Sequence, residues 1–244
     1  MTAKAVKAEL AELADPDKAA FYPRFFKAFP GGYGEGDQFV GVVVPKQRQV
    51  ARRHRDLAPA QVAILLRSPY HEHRHTALLI LVEQYSRAGR GKADPDQAAQ
   101  RRAAIFAFVR QHLDRIDNWD MVDLVAPKII GPEAMAHPEH IELLREYARA
   151  ESLWRRRIAM IATLAFIRAD EYGLTLEMAE TLVADQHDLI HKAVGWMLRE
   201  VGIRDRGVEE AFLDRHAGHM PRTMLRYALE KFPKERRQHY MARP

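Results

Sequence analysis

Apolar residues recur at intervals of three and four along nearly the whole chain, the period of helices that bury one face. The first run predicts a helix over residues 2–14. Asp15-Pro16 then opens a second, a carboxylate cap followed by a proline whose missing N–H is no loss at a helix start, and this helix should reach Phe29. The pattern lapses in Pro30-Gly31-Gly32-Tyr33-Gly34-Glu35-Gly36-Asp37, expected to be a flexible turn, and in residues 38–44 that follow. Pro45 restarts a helix over residues 46–55, which carries Arg48, Arg52, Arg53 and Arg55.

From Pro59 onward the helices come in pairs. First members should begin near residues 59, 96, 139, 174 and 206, and second members near 71, 118, 152, 188 and 220. The interval drifts between about 32 and 43 residues, the range of HEAT-like and related helical repeats. The second members share a pattern, seen in Arg74-His75-Thr76-Ala77-Leu78-Leu79, Arg156-Arg157-Ile158-Ala159-Met160-Ile161 and His191-Lys192-Ala193-Val194-Gly195-Trp196. Each opens basic and turns apolar, so side by side they would put positive charge along one inner surface. The expected fold is a single all-α domain over 1–244, an α-solenoid of HEAT-like helical repeats with a basic concave face. Residues 1–58 would form the N-terminal helices and glycine-rich turn, and 59–244 the tandem pairs. An all-α fold without repeats is the alternative.

Composition narrows the partners. The 244 residues carry 38 Lys and Arg against 33 Asp and Glu, a net charge of +5, which permits nucleic acid without demanding it. Cysteine is absent, which excludes disulfides and thiolate metal sites. No apolar run approaches the ~18 residues of a membrane span, and the first residues lack the apolar core of a signal peptide, so a cytoplasmic protein is expected.

Candidate chemistry gathers in Asp117-Asn118-Trp119-Asp120-Met121-Val122-Asp123-Leu124-Val125-Ala126-Pro127. As a helix it aligns Met121, Val122, Val125 and Ile129 on one stripe, with Asp117 as N-cap and Asp120 as the capping-box acid. Trp119 and Asp123, four apart, share a face nearly opposite that stripe. Such a pair suits either a site or a tryptophan covering a neighbouring helix beside a solvated carboxylate. Trp196 is likewise off its own stripe, near Lys192, Arg199 and Glu200, whereas Trp154 shares the stripe of Ile158, Ile161 and Ala165 and should be core. Arg157 flanks that stripe and needs a carboxylate or phosphate partner, Asp123 being one candidate. His71-Glu72-His73-Arg74-His75 has the spacing of a zinc-protease helix, but no further ligand completes it, and these residues are expected on the basic surface. The glycine-rich run has neither a following Lys-Ser/Thr nor a preceding strand and is no nucleotide loop.

Taken in order, several stretches resemble the AlkD-type DNA alkylation repair family of HEAT-like glycosylases: Tyr33-Gly34-Glu35-Gly36-Asp37 with Gly41-Val42-Val43-Val44-Pro45; His73-Arg74-His75-Thr76-Ala77-Leu78; Asn118-Trp119-Asp120-Met121-Val122-Asp123; Leu153-Trp154-Arg155-Arg156-Arg157; and Lys192-Ala193-Val194-Gly195-Trp196-Met197-Leu198-Arg199-Glu200. By position, the resemblance implies Asp123 as the catalytic carboxylate, with Trp119 and Arg157 beside it in function. It implies a second site tryptophan at Trp196, and Lys192, Tyr33 and Arg48 are expected as further DNA contacts. A glutamine that some members carry near the proline of the early turn is replaced here by Val43. The implied activity is hydrolytic release of cationic alkylated purines from double-stranded DNA by a monomer that acts at the nucleoid. No cofactor, metal or membrane partner is expected. The competing functions are a non-catalytic binder of distorted or branched DNA and a protein-interaction solenoid.

Overall fold

A computed structural model describes residues 1–90 and 94–242. The chain divides into two compact units, Met1–Val125 and Ala126–Pro244. The first contains α1 (Ala3–Glu12), α2 (Pro16–Phe25), α3 (Val44–Arg53), α4 (Pro59–Leu66), α5 (His71–Ala88), α6 (Pro95–Gln111) and α7 (Trp119–Val125). The second contains a π-helical segment (Ala126–Ile130) and then α8 (Gly131–Ala136), α9 (Glu139–Ala148), α10 (Leu153–Ala162), α11 (Leu164–Arg168), α12 (Gly173–Leu182), α13 (Asp188–Arg204), α14 (Arg206–His216), α15 (Arg222–Ala228) and α16 (Lys234–Met241).

Local chemistry sets these boundaries. The Thr2 hydroxyl accepts from the Ala5 N–H, and the Asp15 carboxylate accepts from Lys18 N–H at 3.1 Å ahead of Pro16. α1 buries Ala3, Val6 and Leu10, one stripe at spacings of three and four. α2 stops at Phe25, short of the expected Phe29, because Lys27 turns into the left-handed region (φ 49°) and Gly32 folds back on it. A Cβ on Gly32 would lie 2.0 Å from the Lys27 carbonyl oxygen, so only glycine fits. The glycine run is therefore a succession of close turns rather than a flexible one, with Gly34 N–H on Lys27 O, Glu35 N–H on Gly32 O and Asp37 N–H on Gly34 O. Pro127 has no N–H to offer an α-helical ladder, and the backbone around it widens into the π segment.

Packing within each unit is that of a helical repeat. α5 is the central helix of the first unit and packs on α1, α3, α4, α6 and α7; α13 takes that place in the second, against α10, α12, α14 and α15. Second members of successive pairs lie side by side, α5 with α7 and α10 with α13. The close approach of α13 to α15 depends on Gly195, where a Cβ would sit 2.4 Å from Met224 O. No helix of the described residues is long and apolar enough to cross a membrane.

Candidate nucleic-acid site

The polar block at the start of α5 organises the first unit. His71, Glu72, His73, Arg74 and His75 are all buried, which corrects their expected place on a basic surface. Glu72 is buried. Its carboxylate accepts N–H groups from Val40 (3.0 Å), Gly41 (2.7 Å) and Val42 (3.3 Å), pinning the segment after the glycine turns. Gly41 makes this possible: its φ is 87°, and a Cβ there would lie 2.0 Å from Asp15 O. His75 Nδ1 meets Gln47 Oε1 at 2.7 Å, and Gln47 Nε2 donates to Val42 O at 2.6 Å, so α3 is tied into the same network.

His71 lies between two carboxylates, with Nδ1 2.9 Å from Asp37 and Nε2 2.8 Å from Asp120. Burial pulls the imidazole pKa down, but the charges and hydrogen bonds of Asp120 and Asp37 outweigh it and raise the value to about 9. The imidazolium in turn holds Asp120 below its ordinary range against a burial effect in the other direction, and Asp37 likewise with help from Arg74. Arg74 pairs with Asp37 and reaches Asp117 at 3.0 Å.

These cations decide how α7 begins. Asp117 and Asp120 were expected as its capping acids; Asp117 instead faces Arg74, Asp120 meets His71 with one oxygen while the other accepts the Met121 N–H at 2.9 Å, and Asn118 takes the capping place. Its buried Oδ1 accepts from Trp119 N–H at 2.9 Å, and its carbonyl accepts from Val122 N–H at 3.1 Å. A partner for a buried cation is worth more than an exposed cap, so the acids go to the cations. Gly34 packs over Asn118: a Cβ on it would lie 3.1 Å from Asn118 Nδ2.

Met121, Val122, Leu124 and Val125 of α7 are buried, as the apolar stripe requires. Trp119 and Asp123 are each half-buried, one helical turn apart. Phe26 stacks on the Trp119 ring at 5.7 Å between centroids, and Phe25 meets it edge-on at 5.9 Å. Tyr33 is half-buried in the glycine turns, with Lys27 Nζ 5.5 Å from its ring centre. Arg48 is exposed on α3.

The other predicted residues belong to the second unit. Arg157 on α10 is buried and donates to Leu189 O, in the first turn of α13, at 2.5 Å. Arg156 beside it binds Asp185 at 2.6 Å and the carbonyls of Ala150 and Glu151. Lys192 pairs with Asp188 at 2.7 Å along α13. Trp196 is half-buried, its indole N–H donated to Glu200 at 2.9 Å. Trp154 is half-buried too, not core as its stripe implied, because it stands in the first turn of α10, where the helix end sets exposure. Trp119 and Asp123 are thus brought together on α7, and Arg157, Lys192 and Trp196 on the packed pair α10 and α13. Several of the basic groups meant to line an open inner surface are instead spent on acids and carbonyls of adjoining segments.

The model of a family described as DNA alkylation repair enzyme matches residues 6–232, nearly the entire chain. The chain belongs to the DNA alkylation repair enzyme family. Among solved structures, a "Predicted DNA alkylation repair enzyme from Enterococcus faecalis" superposes with a TM-score of 0.66 at 17% identity, covering 91% of this chain and 97% of that one. That likeness establishes the shared all-α fold. No curated protein matches the sequence. For this alkylation repair protein, sequence reasoning missed the support of α7: Asp37, His71, Arg74, Asn118 and Phe26. One signal was available. Five consecutive polar residues at a helix start, followed at once by Thr76-Ala77-Leu78-Leu79, circle the helix and cannot all face water.

Proposed function

We propose that the protein is a DNA glycosylase that hydrolyses the N-glycosidic bond of N3- or N7-alkylated purines in duplex DNA and leaves an abasic site. Its family supports the repair role. The observation that carries the chemistry is the Trp119–Asp123 pair, half-buried on one face of a helix whose other apolar residues are buried. Alkylation at N3 or N7 gives the purine a positive charge, so it leaves with the electron pair of the C1′–N9 bond as a neutral base, without a general acid. Positive charge then builds on the deoxyribose, and the Asp123 carboxylate stabilises it electrostatically. Water adds to C1′ and releases its proton to Asp123 or to solvent. Trp119 offers an indole face to the sugar, and Trp196 of the second unit offers one to the DNA backbone. Lys192, Arg48 and Tyr33 serve the DNA strands, through phosphates where they are cationic, and the buried Arg157 holds the first turn of α13, from which Lys192 and Trp196 project. No amine acts as nucleophile, so the strand stays intact.

The test is chromatographic measurement of 3-methyladenine and 7-methylguanine released from methylated duplex DNA. Asp123→Asn is expected to lose about 10²-fold or more in rate, the scale for removing one transition-state electrostatic partner, while keeping duplex affinity. Excision by Asp123→Asn at the wild-type rate ends that assignment. Wild-type protein that binds duplex with strong salt dependence but releases no base is a binder of distorted DNA instead.

A further inference from the structure

α2 and the turn after it expose more aromatic surface than folding explains. Phe21 is 55% exposed, Phe25 48% and Phe29 48%, although Tyr22 and Phe26 of the same segment supply its inward contacts with Phe39 and His71. Phe21 and Phe25 lie one turn apart on α2, their ring centres separated by 5.9 Å, and Phe25 continues at 5.9 Å onto Trp119. Three rings therefore form one run, from solvent to the tryptophan of the candidate site. Adjacent apolar rings this exposed mark a contact surface. Their charged neighbours specify its partner: Arg24 and Lys27 are both exposed, and neither has an ion pair with a described residue. Of the acids nearby, Asp15 holds Lys18 and Glu35 accepts the Gly31 N–H, while Asp17 is exposed in the first turn of α2, at the end away from Arg24 and Lys27.

We infer that Phe21 and Phe25 form an aromatic ladder, set edge-on beside Trp119, that stacks the unpaired bases of a locally opened DNA strand, with Arg24 and Lys27 on its phosphates. Every base offers a π face, but inside an intact duplex both faces are covered, so a ladder of exposed rings selects nucleotides that have left the stack. Apolar wedges used on duplex DNA act by this same unstacking. A second copy of the chain or an acyl surface would also cover phenylalanines. Arg24 and Lys27, exposed and in no ion pair with a described residue, Lys27 lying over the Tyr33 ring, together with the continuity of the ladder to Trp119, favour a polyanion carrying rings. The inference rests on the DNA-directed reading of Trp119, and it adds a preference for DNA opened beside the damaged nucleotide.

The test compares two duplexes of one sequence, fully paired or with a three-nucleotide bulge containing 2-aminopurine, by anisotropy and by quenching of the probe. Wild-type protein should bind the bulge more tightly and quench the probe. The double variant Phe21→Ala/Phe25→Ala should lose about tenfold or more in affinity for the bulge and under twofold for the paired duplex, at unchanged thermal stability. Phe25→Trp should retain quenching. Equal losses on both duplexes, or none on either, overturn the ladder. So does a wild-type dimer that the double variant turns into monomer, or anionic-vesicle binding that it abolishes while DNA binding is kept. Base release is read separately: wild type that quenches the bulge yet frees no base keeps the ladder and loses the glycosylase.

Discussion

Replacing His71 should remove a pH-dependent part of the stability of the first unit, and the structure supplies its size. The imidazole is held between Asp37 and Asp120 with a pKa of about 9, against 6.5 for an ordinary histidine. A shift of about 2.5 units at 1.36 kcal/mol per unit corresponds to roughly 3 kcal/mol. Because the folded value is the raised one, that contribution is complete below pH 6.5 and is lost as pH climbs through 9. His71→Gln leaves two buried carboxylates facing a neutral group, so it should be less stable than wild type by about 3 kcal/mol at pH 6.5. The deficit should shrink by pH 9.5. Urea unfolding followed by helical circular dichroism at pH 6.5, 8 and 9.5 gives the difference, and an NMR titration of the ring gives the pKa directly. Comparison between the two proteins cancels the titrating groups away from His71, leaving the imidazole and the two carboxylates it holds. A ring that deprotonates below pH 7, or two stability curves that stay parallel from pH 6.5 to 9.5, would refute the buried cation.

Two further predictions concern residues away from the proposed chemistry. Glu209 is buried, its Oε1 has no partner among the described residues, and burial raises its pKa to about 8. The proton it keeps after the unfolded chain has lost its own makes wild-type stability fall from about pH 4.5 to 8, by a few kcal/mol; Glu209→Gln should flatten that part of the curve, and an unchanged slope in urea titrations would contradict it. Gly41→Ala would force a side chain into a left-handed backbone and against Asp15 O, so thermal unfolding should show a loss of about 2–3 kcal/mol, whereas a gain would mean the turn is not built as described.

The helical pairs were legible because their periodicity is local. First members expected near residues 59, 139 and 206 begin at Pro59, Glu139 and Arg206, and second members expected near 71 and 188 begin at His71 and Asp188. The end of α2 was not legible, since it depends on Lys27 entering a left-handed conformation to meet Gly32 and Gly34, an agreement between residues outside the helix. Trp154 was misplaced for a related reason. A stripe predicts burial only where the helix continues on both sides, and Leu153 is the first residue of α10.

The candidate site was legible as two residues on one helix face and illegible as a supported structure, and the difference has a physical basis. Trp119 and Asp123 fall on one face through the pitch of a single helix, which four residues of sequence suffice to define. What holds that helix in place comes from far away: His71 reaches 34 residues back to Asp37 and 49 forward to Asp120, and Arg74 reaches 43 forward to Asp117. A buried histidine or arginine is tolerated only where an acid meets it, and no local pattern announces an acid at that range. Three aspartates within seven residues therefore look alike in the sequence while differing in work. Asp117 and Asp120 neutralise cations of α5, and in doing so they set the helix from which Asp123 projects. A carboxylate that stabilises a developing cation must already be in position, since reorganising it during the reaction would return much of the gain. The buried ion pairs beneath α7 hold that helix in place, so under the proposed role of Asp123 the polar start of α5 would support the chemistry without touching DNA.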